Sequence, residues 1–458
     1  MSLATVNPAT GQTLDTYPLM TPAEVDAALD RAAAAAAALR RTTFAQRAGW
    51  LTAAADLLDA ETAAVAATVT TEMGKPVTAA RAEVAKCAAA CRYYAAHAEE
   101  FLADAPLADP GQVGAARAWV RYEPLGPVLA VMPWNFPLWQ VLRFAAPALM
   151  AGNPGVLKHA SNVPRTARYL GKLFTRAGFP AGSFGPLWVA ADTVADVIAD
   201  PRIAAVTLTG SEGAGRSVGG AAGRALKKVV LELGGSDPFL VLPSADLDRA
   251  VDVAVTARCQ NNGQSCIAAK RFVVHSAVYP RFVEAFTARM AALRVGDPME
   301  EDTQVGPLAT ESGRAEVAAQ VDDARAHGAQ VRCGGTVPDR PGWWYPPTVV
   351  TGLTPAMRMW REEVFGPVAG VYEVDSLDAA LALADDTPFG LGAAVWTRDE
   401  DEAARCVREL TAGAVFVNGM TTSYPALPFG GVRHSGHGRE LAAVGIREFC
   451  NAKTVWQA

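Results

Sequence analysis

Apolar and polar positions divide the chain into three stretches of different period. From Thr21 to about 103 the apolar residues, alanine above all, recur at helical spacing. Thr21-Pro22-Ala23-Glu24 supplies an N-cap, a proline at the first position and an acid three residues after the cap. Ala32 to Ala38 continues that helix, since alanine is the best helix former. Two further helices are expected at about 44–73 and 77–103, separated by Gly74-Lys75-Pro76. Cys87 and Cys91 lie one turn apart in the second of these, and without a partner at ligand spacing they read as packing.

The period changes at Arg117. Ala118 to Glu123 alternates like a strand, and short apolar runs then alternate with helical stretches. Strands are expected at Val128–Met132, Gly155–Lys158, Gly185–Val189, Ala204–Thr209 and Lys228–Leu231, with helices at 138–151, 163–177, 193–199 and 213–224. Such a βαβ series implies an α/β fold with a parallel sheet covered by helices on both faces. Ligands of these sheets sit at the carboxyl ends of the strands, so the segments after them matter most. A second sheet-and-helix region runs from about Pro238 to 425, with a helix at 276–293. The chain closes with a glycine-rich loop from Pro428 to Gly436, a helical stretch near 438–444 and a strand-like Phe449 to Trp456. No internal repeat is visible.

Composition narrows the picture. At 458 residues the chain is too long for one ordinary core. Half the residues are hydrophobic and 19% are charged, the balance of a globular enzyme. A net charge of −6 without a Lys/Arg cluster argues against nucleic acid. Seven scattered cysteines suit a reducing compartment better than a disulfide framework. The first twenty residues lack a signal-peptide pattern, and no apolar run is long enough to span a bilayer. A cytoplasmic protein without a membrane partner or bound metal is expected.

The candidate chemistry centres on Gln260-Asn261-Asn262-Gly263-Gln264-Ser265-Cys266-Ile267. It sets one thiol among amide and small side chains, with no acid within five positions on either side. A nucleophilic cysteine needs such surroundings, because the thiolate must be stabilised. A buried cysteine acting as a small hydrophobe is the alternative. The turn Gly210-Ser211-Glu212-Gly213 opens a helix and offers backbone N–H groups to a phosphate, though it matches no standard nucleotide motif.

Six segments in order then resemble the aldehyde dehydrogenase superfamily over nearly the whole chain. They are Pro133-Trp134-Asn135-Phe136-Pro137, Leu208-Thr209-Gly210-Ser211, Leu231-Glu232-Leu233-Gly234-Gly235, Gly263-Gln264-Ser265-Cys266, Glu363-Val364-Phe365-Gly366-Pro367 and Pro428-Phe429-Gly430-Gly431. Lys158-His159-Ala160-Ser161, Asn261 to Cys266 and Arg143 look most like the bacterial NADP-dependent succinate-semialdehyde dehydrogenases.

The resemblance implies that Cys266 is the nucleophile, that Asn135 and the Cys266 backbone N–H hold the oxyanion, and that Glu232 is the general base for thioester hydrolysis. It implies cofactor contacts from Met132, Pro133, Trp134, Lys158, Ala160, Ser161, Thr209, Gly210, Ser211, Leu233, Glu363 and Phe365. Substrate contacts would come from Phe136, Gln140, Arg143, Ser265, Ile267, Ser423 and Phe429. Ser161 stands where many NAD-dependent members carry Glu, so NADP is the expected cofactor, with NAD possible. Gln260 and Ala426 stand where relatives carry arginines, which leaves carboxylate recognition mainly to Arg143, helped by Ser423.

The implied fold is a Rossmann-like cofactor domain (1–111 and 126–233), a catalytic domain (234–426), a bridging segment (427–444) and a small β flap (112–125 and 445–458) that assembles a homodimer or homotetramer. Oxidation of succinate semialdehyde is the expected reaction. The rivals are a broad aliphatic or aromatic aldehyde dehydrogenase, a CoA-acylating relative, against which Glu232 counts, and a catalytically silent binding protein on the same scaffold.

Overall fold

A computed structural model of the chain describes residues 2–458. Its first sheet has six strands in the order Gly436–His437, Lys228–Glu232, Ala205–Thr209, Val128–Met132, Gly155–His159 and Phe184–Pro186. All neighbours are parallel except the short Gly436–His437, which runs antiparallel to Lys228–Glu232. Val128–Met132 and Ala205–Thr209 are neighbours, yet from the former the chain proceeds outward one way and returns on the other side. The strand order therefore reverses between them. A crevice opens at that point beyond the carboxyl ends, flanked by Pro133-Trp134-Asn135 and Gly210-Ser211.

The second sheet has seven strands: Gln330–Cys333, Thr348–Thr351, Val368–Val374, Ala269–His275, Asp237–Val241, Ala393–Trp396 and Val415–Val417. It is parallel apart from its first strand. The inner strands of both sheets, such as Ala205–Thr209 and Asp237–Val241, are buried throughout and carry no polar–apolar alternation of exposure. Cys450–Gln457, Arg117–Pro124 and Ala105–Pro106 form a separate antiparallel sheet of three strands.

Four helices, Pro22–Leu39, Phe44–Ala60, Thr62–Met73 and Val77–Phe101, precede the first βαβ unit. Thr21 closes the capping box with Glu24, as its sequence predicts. The single helix expected at 44–73 is broken at Glu61 (φ −106°, ψ 10°). The Thr62 hydroxyl donates to the carbonyls of Leu58 and Asp59, a local alternative to the helical ladder. The strand expected at Gly185–Val189 is Phe184–Pro186, an edge position where the missing N–H of Pro186 is tolerated. The helix expected near 438–444 lies at Ala442–Arg447, because Leu441 and Ala442 are left-handed (φ 67° and 51°) and cannot continue a right-handed turn from upstream. Among the described residues no helix is long and apolar enough to cross a membrane, and no metal-binding cluster is present.

Candidate active site

Cys266 precedes the strand Ala269–His275 on a loop that leaves the helix Leu247–Cys259. The backbone turns left-handed at Asn261 (φ 56°), Asn262 (φ 57°) and Gly263 (φ 71°). A Cβ at Gly263 would run into the backbone of Gly366 and Pro367, so only glycine passes there. Asn262, fully buried, donates from Nδ2 to the carbonyls of Gly74 and Pro307 (both 2.9 Å) and accepts from Gly306 N–H (2.8 Å). Gln264 Oε1 accepts from Ala309 N–H (3.0 Å), and Arg258 donates to the carbonyls of Gly263 and Ala269. Beyond the thiol, Lys270 Nζ donates to the carbonyls of Ser265 (2.8 Å) and Cys266 (2.6 Å).

This loop is tied to the one after Val128–Met132. Asn261 Nδ2 donates to the carbonyls of Asn135 (2.8 Å) and Gln264 (2.9 Å), and Asn135 Nδ2 donates to the Gln264 carbonyl (3.0 Å). Asn135 is thus fixed beside the Cys266 loop by one N–H, and the other N–H of its amide remains to be offered. His159 holds the other side of the Asn135 loop. Its Nδ1 accepts from Ala160 N–H (3.0 Å) and its Nε2 faces the Pro137 carbonyl (3.0 Å), while burial pushes its pKa down to about 4. Nδ1 also faces the Met132 carbonyl (3.2 Å), so the neutral ring bridges the two loops through both nitrogens.

Glu232 ends the strand Lys228–Glu232 and is buried, with no hydrogen-bond partner for either carboxylate oxygen among the described residues. Burial and the Glu440 carboxylate push its pKa well above the usual range, against the pull of Arg143 and Arg439. Burial likewise pushes the partly exposed Cys266 thiol up to about 12, opposed by Lys270 and Arg143. Burial disfavours the charged form of both groups, a nucleophile and a carboxyl held in a dry site.

Cys266 opens onto a cavity of about 220 Å³ at the foot of the helices Val77–Phe101 and Trp139–Ala151. Phe136, Gln140, Arg143, Ser265, Ile267, Ser423 and Phe429 all line it, as the sequence reading expects of a substrate funnel. Around the strand-order reversal, Ser211 caps the helix Glu212–Arg224 by accepting from Ala214 N–H. Lys158 is largely buried and has no salt-bridge partner among the described residues, and burial lowers its pKa. Ser161 stands exposed three residues on. An unpaired ammonium, an adjacent free hydroxyl and a helix N-terminus at a switch point fit a phosphorylated dinucleotide. Glu363 is held by Lys270 (3.1 Å) and Gly235 N–H (3.2 Å), and Phe365 packs edge-on against Trp134 with ring centroids 5.8 Å apart.

Residues 1–455 match the Aldehyde dehydrogenase family. The chain belongs to that family. This aldehyde dehydrogenase is 62% identical to succinate-semialdehyde dehydrogenase (NADP(+)) 1 of Mycobacterium tuberculosis, over the full length of both chains. It is 60% identical to succinate-semialdehyde dehydrogenase (NADP(+)) of Mycobacterium leprae, again over both full lengths. Its fold superposes on that of succinic semialdehyde dehydrogenase from Streptococcus pyogenes in complex with NADP+, with a TM-score of 0.96, 38% identity and 99% of each chain covered.

One expectation for this aldehyde dehydrogenase is corrected by the structure. Arg143 lines the funnel, but its charge is already met: Nε pairs with the buried Glu440 carboxylate, and Nη2 donates to Thr209 Oγ1 (3.2 Å). Its guanidinium lies over the Phe429 ring, 4.5 Å from the centroid. Arg143 is therefore not the unpaired cation that the expectation assumed, and a substrate carboxylate there would have to share it with Glu440. Glu440, Trp139 and Lys86 were not singled out in the sequence. Glu440 reaches the site because the chain crosses back along Phe429–Glu440 to the first sheet. Ala79, Ala82, Glu83 and Lys86 do fall at i, i+3, i+4 and i+7 on their helix, a visible face, but nothing local says that this face borders the funnel.

Removing one partner of a buried ion pair strands the other, at about 3–5 kcal/mol. Arg143→Ala should therefore lower the melting temperature and depress kcat/KM for anionic and neutral aldehydes by similar factors. Steady-state assays on one aldehyde of each kind, with a thermal melt, check this; a loss confined to the anionic aldehyde would return Arg143 to the substrate.

Proposed function

We propose that this protein oxidises succinate semialdehyde to succinate with NADP as the hydride acceptor. The observation that carries the reading is that Cys266 opens onto a funnel lined by the predicted substrate residues, with Asn135 bonded to the Gln264 carbonyl on its loop and the Glu232 carboxylate near enough to bear on its thiol. The full-length identity to relatives named for that substrate and cofactor supports it.

Cys266 gives its thiol proton to Glu232 as Sγ attacks the aldehyde carbon, and the carbonyl oxygen takes up the negative charge between the free Asn135 N–H and the Cys266 backbone N–H; Glu232 releases that proton to solvent before the hydrolytic step. NADP, when bound, accepts the hydride that leaves the tetrahedral carbon. The thioester left on Cys266 is attacked by water, from which Glu232 takes the proton. A carboxylate whose basicity is raised by burial is suited to that task, since a weak base would leave the water unactivated. Glu440 and Arg143, whose charges bear on Glu232, set that basicity. Lys158 and Ser161 would hold the 2′-phosphate and adenosine ribose, Thr209, Gly210 and Ser211 the pyrophosphate side, and Glu363 the nicotinamide ribose. On this reading the six-stranded sheet belongs to the cofactor unit (1–111 and 126–233), the seven-stranded sheet to the catalytic unit (234–426), and 427–444 bridges them. The unpaired edge of Cys450–Gln457 suits strand addition in a homodimer or homotetramer, and a cytoplasmic location fits the free cysteines.

Cys266→Ala should abolish oxidation. Glu232→Gln should permit a first turnover of hydride transfer and then stall, giving a burst followed by near-stasis in stopped-flow absorbance. Near-normal steady-state turnover in Glu232→Gln would exclude Glu232 as the base.

The cofactor choice is tested separately. A hydroxyl and an ammonium together bind a phosphate through charge-assisted hydrogen bonds worth about 1.5–3 kcal/mol each. The enzyme should therefore prefer NADP by at least about tenfold in kcat/KM. Ser161→Glu should reverse that preference, whereas equal use of both dinucleotides by the unaltered enzyme would refute the reading of Ser161.

A further inference from the structure

Two cationic side chains, Arg143 and Lys86, line the funnel, a third, Lys75, lies behind Phe136, and their partners differ. Arg143 is paired with Glu440, and Lys75 is paired with Glu83 at 2.5 Å. Glu83 is further committed to the N–H groups of Leu138 and Trp139, which open the following helix. Lys86 has no carboxylate within salt-bridge distance among the described residues. It is only partly exposed and lines the cavity that holds Cys266. Its ammonium lies 4.2 Å from the centre of the Trp139 ring and donates to Ser423 Oγ at 2.9 Å.

Ser423 completes the arrangement. Its Oγ accepts from Lys86 Nζ and from Trp139 Nε1 (3.0 Å), which occupies both lone pairs. The Ser423 O–H proton then has no acceptor among the described residues and remains to be donated. Lys86 retains further N–H groups beyond the one it spends on Ser423. An ammonium and a hydroxyl, both short of an acceptor, converge at the side of an apolar cavity whose other lining cation, Arg143, is paired. A ligand bearing one negative charge balances the site; a neutral one leaves the lysine charge unmet.

We propose that Lys86, with the Ser423 hydroxyl, is the seat for the carboxylate of the aldehyde substrate and the residue that selects an anionic over a neutral aldehyde. This rests on the substrate reading above and names the residues that enforce it. Cys266 takes the aldehyde carbon, Lys86 and Ser423 hold the far carboxylate, and Trp139 fixes both through its ring face and its indole N–H.

The ionisable groups around Lys86 are Glu83 and Cys87 on its own helix and Arg143 on Trp139–Ala151, with Cys266 across the cavity and only hydroxyls on the Thr421–Ser423 segment. Burial, followed by the Arg143 charge, lowers the Lys86 pKa to about 8. The sign is then fixed: the seat is charged below that pH and lost above it. In the unaltered enzyme the ratio of kcat/KM for succinate semialdehyde to that for butyraldehyde should fall as pH rises through about 8. Titration of Cys266 and Glu232 is common to both aldehydes and cancels in the ratio.

The test is a steady-state assay with NADP and these two aldehydes on the unaltered enzyme, Lys86→Met and Lys86→Arg. Lys86→Met should raise KM for the semialdehyde, lower its kcat/KM by about 10- to 100-fold, and leave butyraldehyde within about threefold, the range expected for one charge-assisted contact. Lys86→Arg should recover most of the loss and hold the ratio flat through pH 8–10. A preference for the semialdehyde that survives Lys86→Met, or a ratio that is flat with pH in the unaltered enzyme, overturns the seat alone. An unaltered enzyme with no preference for the semialdehyde overturns the substrate reading, and the seat with it.

Discussion

The site depends on a backbone held left-handed through Asn261, Asn262 and Gly263. For the two asparagines this conformation is uncommon and costs free energy, about 1 kcal/mol or more each. It persists because the surroundings over-determine it. Asn262 satisfies three backbone groups from two remote segments, Gly74 and Gly306–Pro307, while Asn261 and Gln264 satisfy others at Asn135 and Ala309. Each of these backbone groups lies in the interior, where an unmet donor or acceptor costs about 1–3 kcal/mol. Relaxing the turn would orphan several at once. The same bonds that hold the turn also join the two sheets at the point where nucleophile and oxyanion donor must meet.

Charge follows from that geometry. Cys266, Arg143, Glu83 and Lys86 line one small cavity, with Glu232, Glu440 and Lys75 buried behind them, and burial is the first cause of the displaced pKa at Cys266, Glu232, Glu440, Lys75 and Lys86. Arg143 and Glu440 form one ion pair there, and Lys75 and Glu83 another. Burial disfavours the resting thiolate, which suits a nucleophile that must not react before its partners arrive. Preorganised donors in such a site act more strongly than they would in water.

Much of this was legible in the chain. The βαβ alternation identifies the parallel sheet because apolar runs of strand length alternate with helical periods, and the segments after those strands are where Asn135, Ser161, Ser211 and Glu232 are found. The motif around Cys266 marks the loop but not its conformation, since two successive left-handed asparagines are imposed by contacts with Gly74 and Pro307, far away in sequence. Pairings made at long range were hidden for the same reason. Arg143 sits on the expected helix and faces the expected cavity, yet nothing near it reveals that Glu440 will return across the sheet to meet it. Lys86 is one lysine on an alanine-rich helix, and its isolation from any carboxylate exists only in three dimensions. Local breaks were missed where a side chain competes with the backbone, as Thr62 does, or where a positive φ delays a helix, as at Leu441.

The central claim is that the Asn262 side chain, by pinning a left-handed turn, positions Cys266 for attack. Asn262→Gly separates the two effects, because glycine accepts the same φ without strain but makes none of the three side-chain bonds. The direct measurement is the pre-steady-state rate of nucleotide reduction in this variant, with its fold checked by circular dichroism. The account predicts a burst slowed by at least about tenfold, in line with small misplacements of a reacting group. A burst as fast as that of the unaltered enzyme would show that backbone conformation alone, and not the Asn262 pins, holds the nucleophile in place.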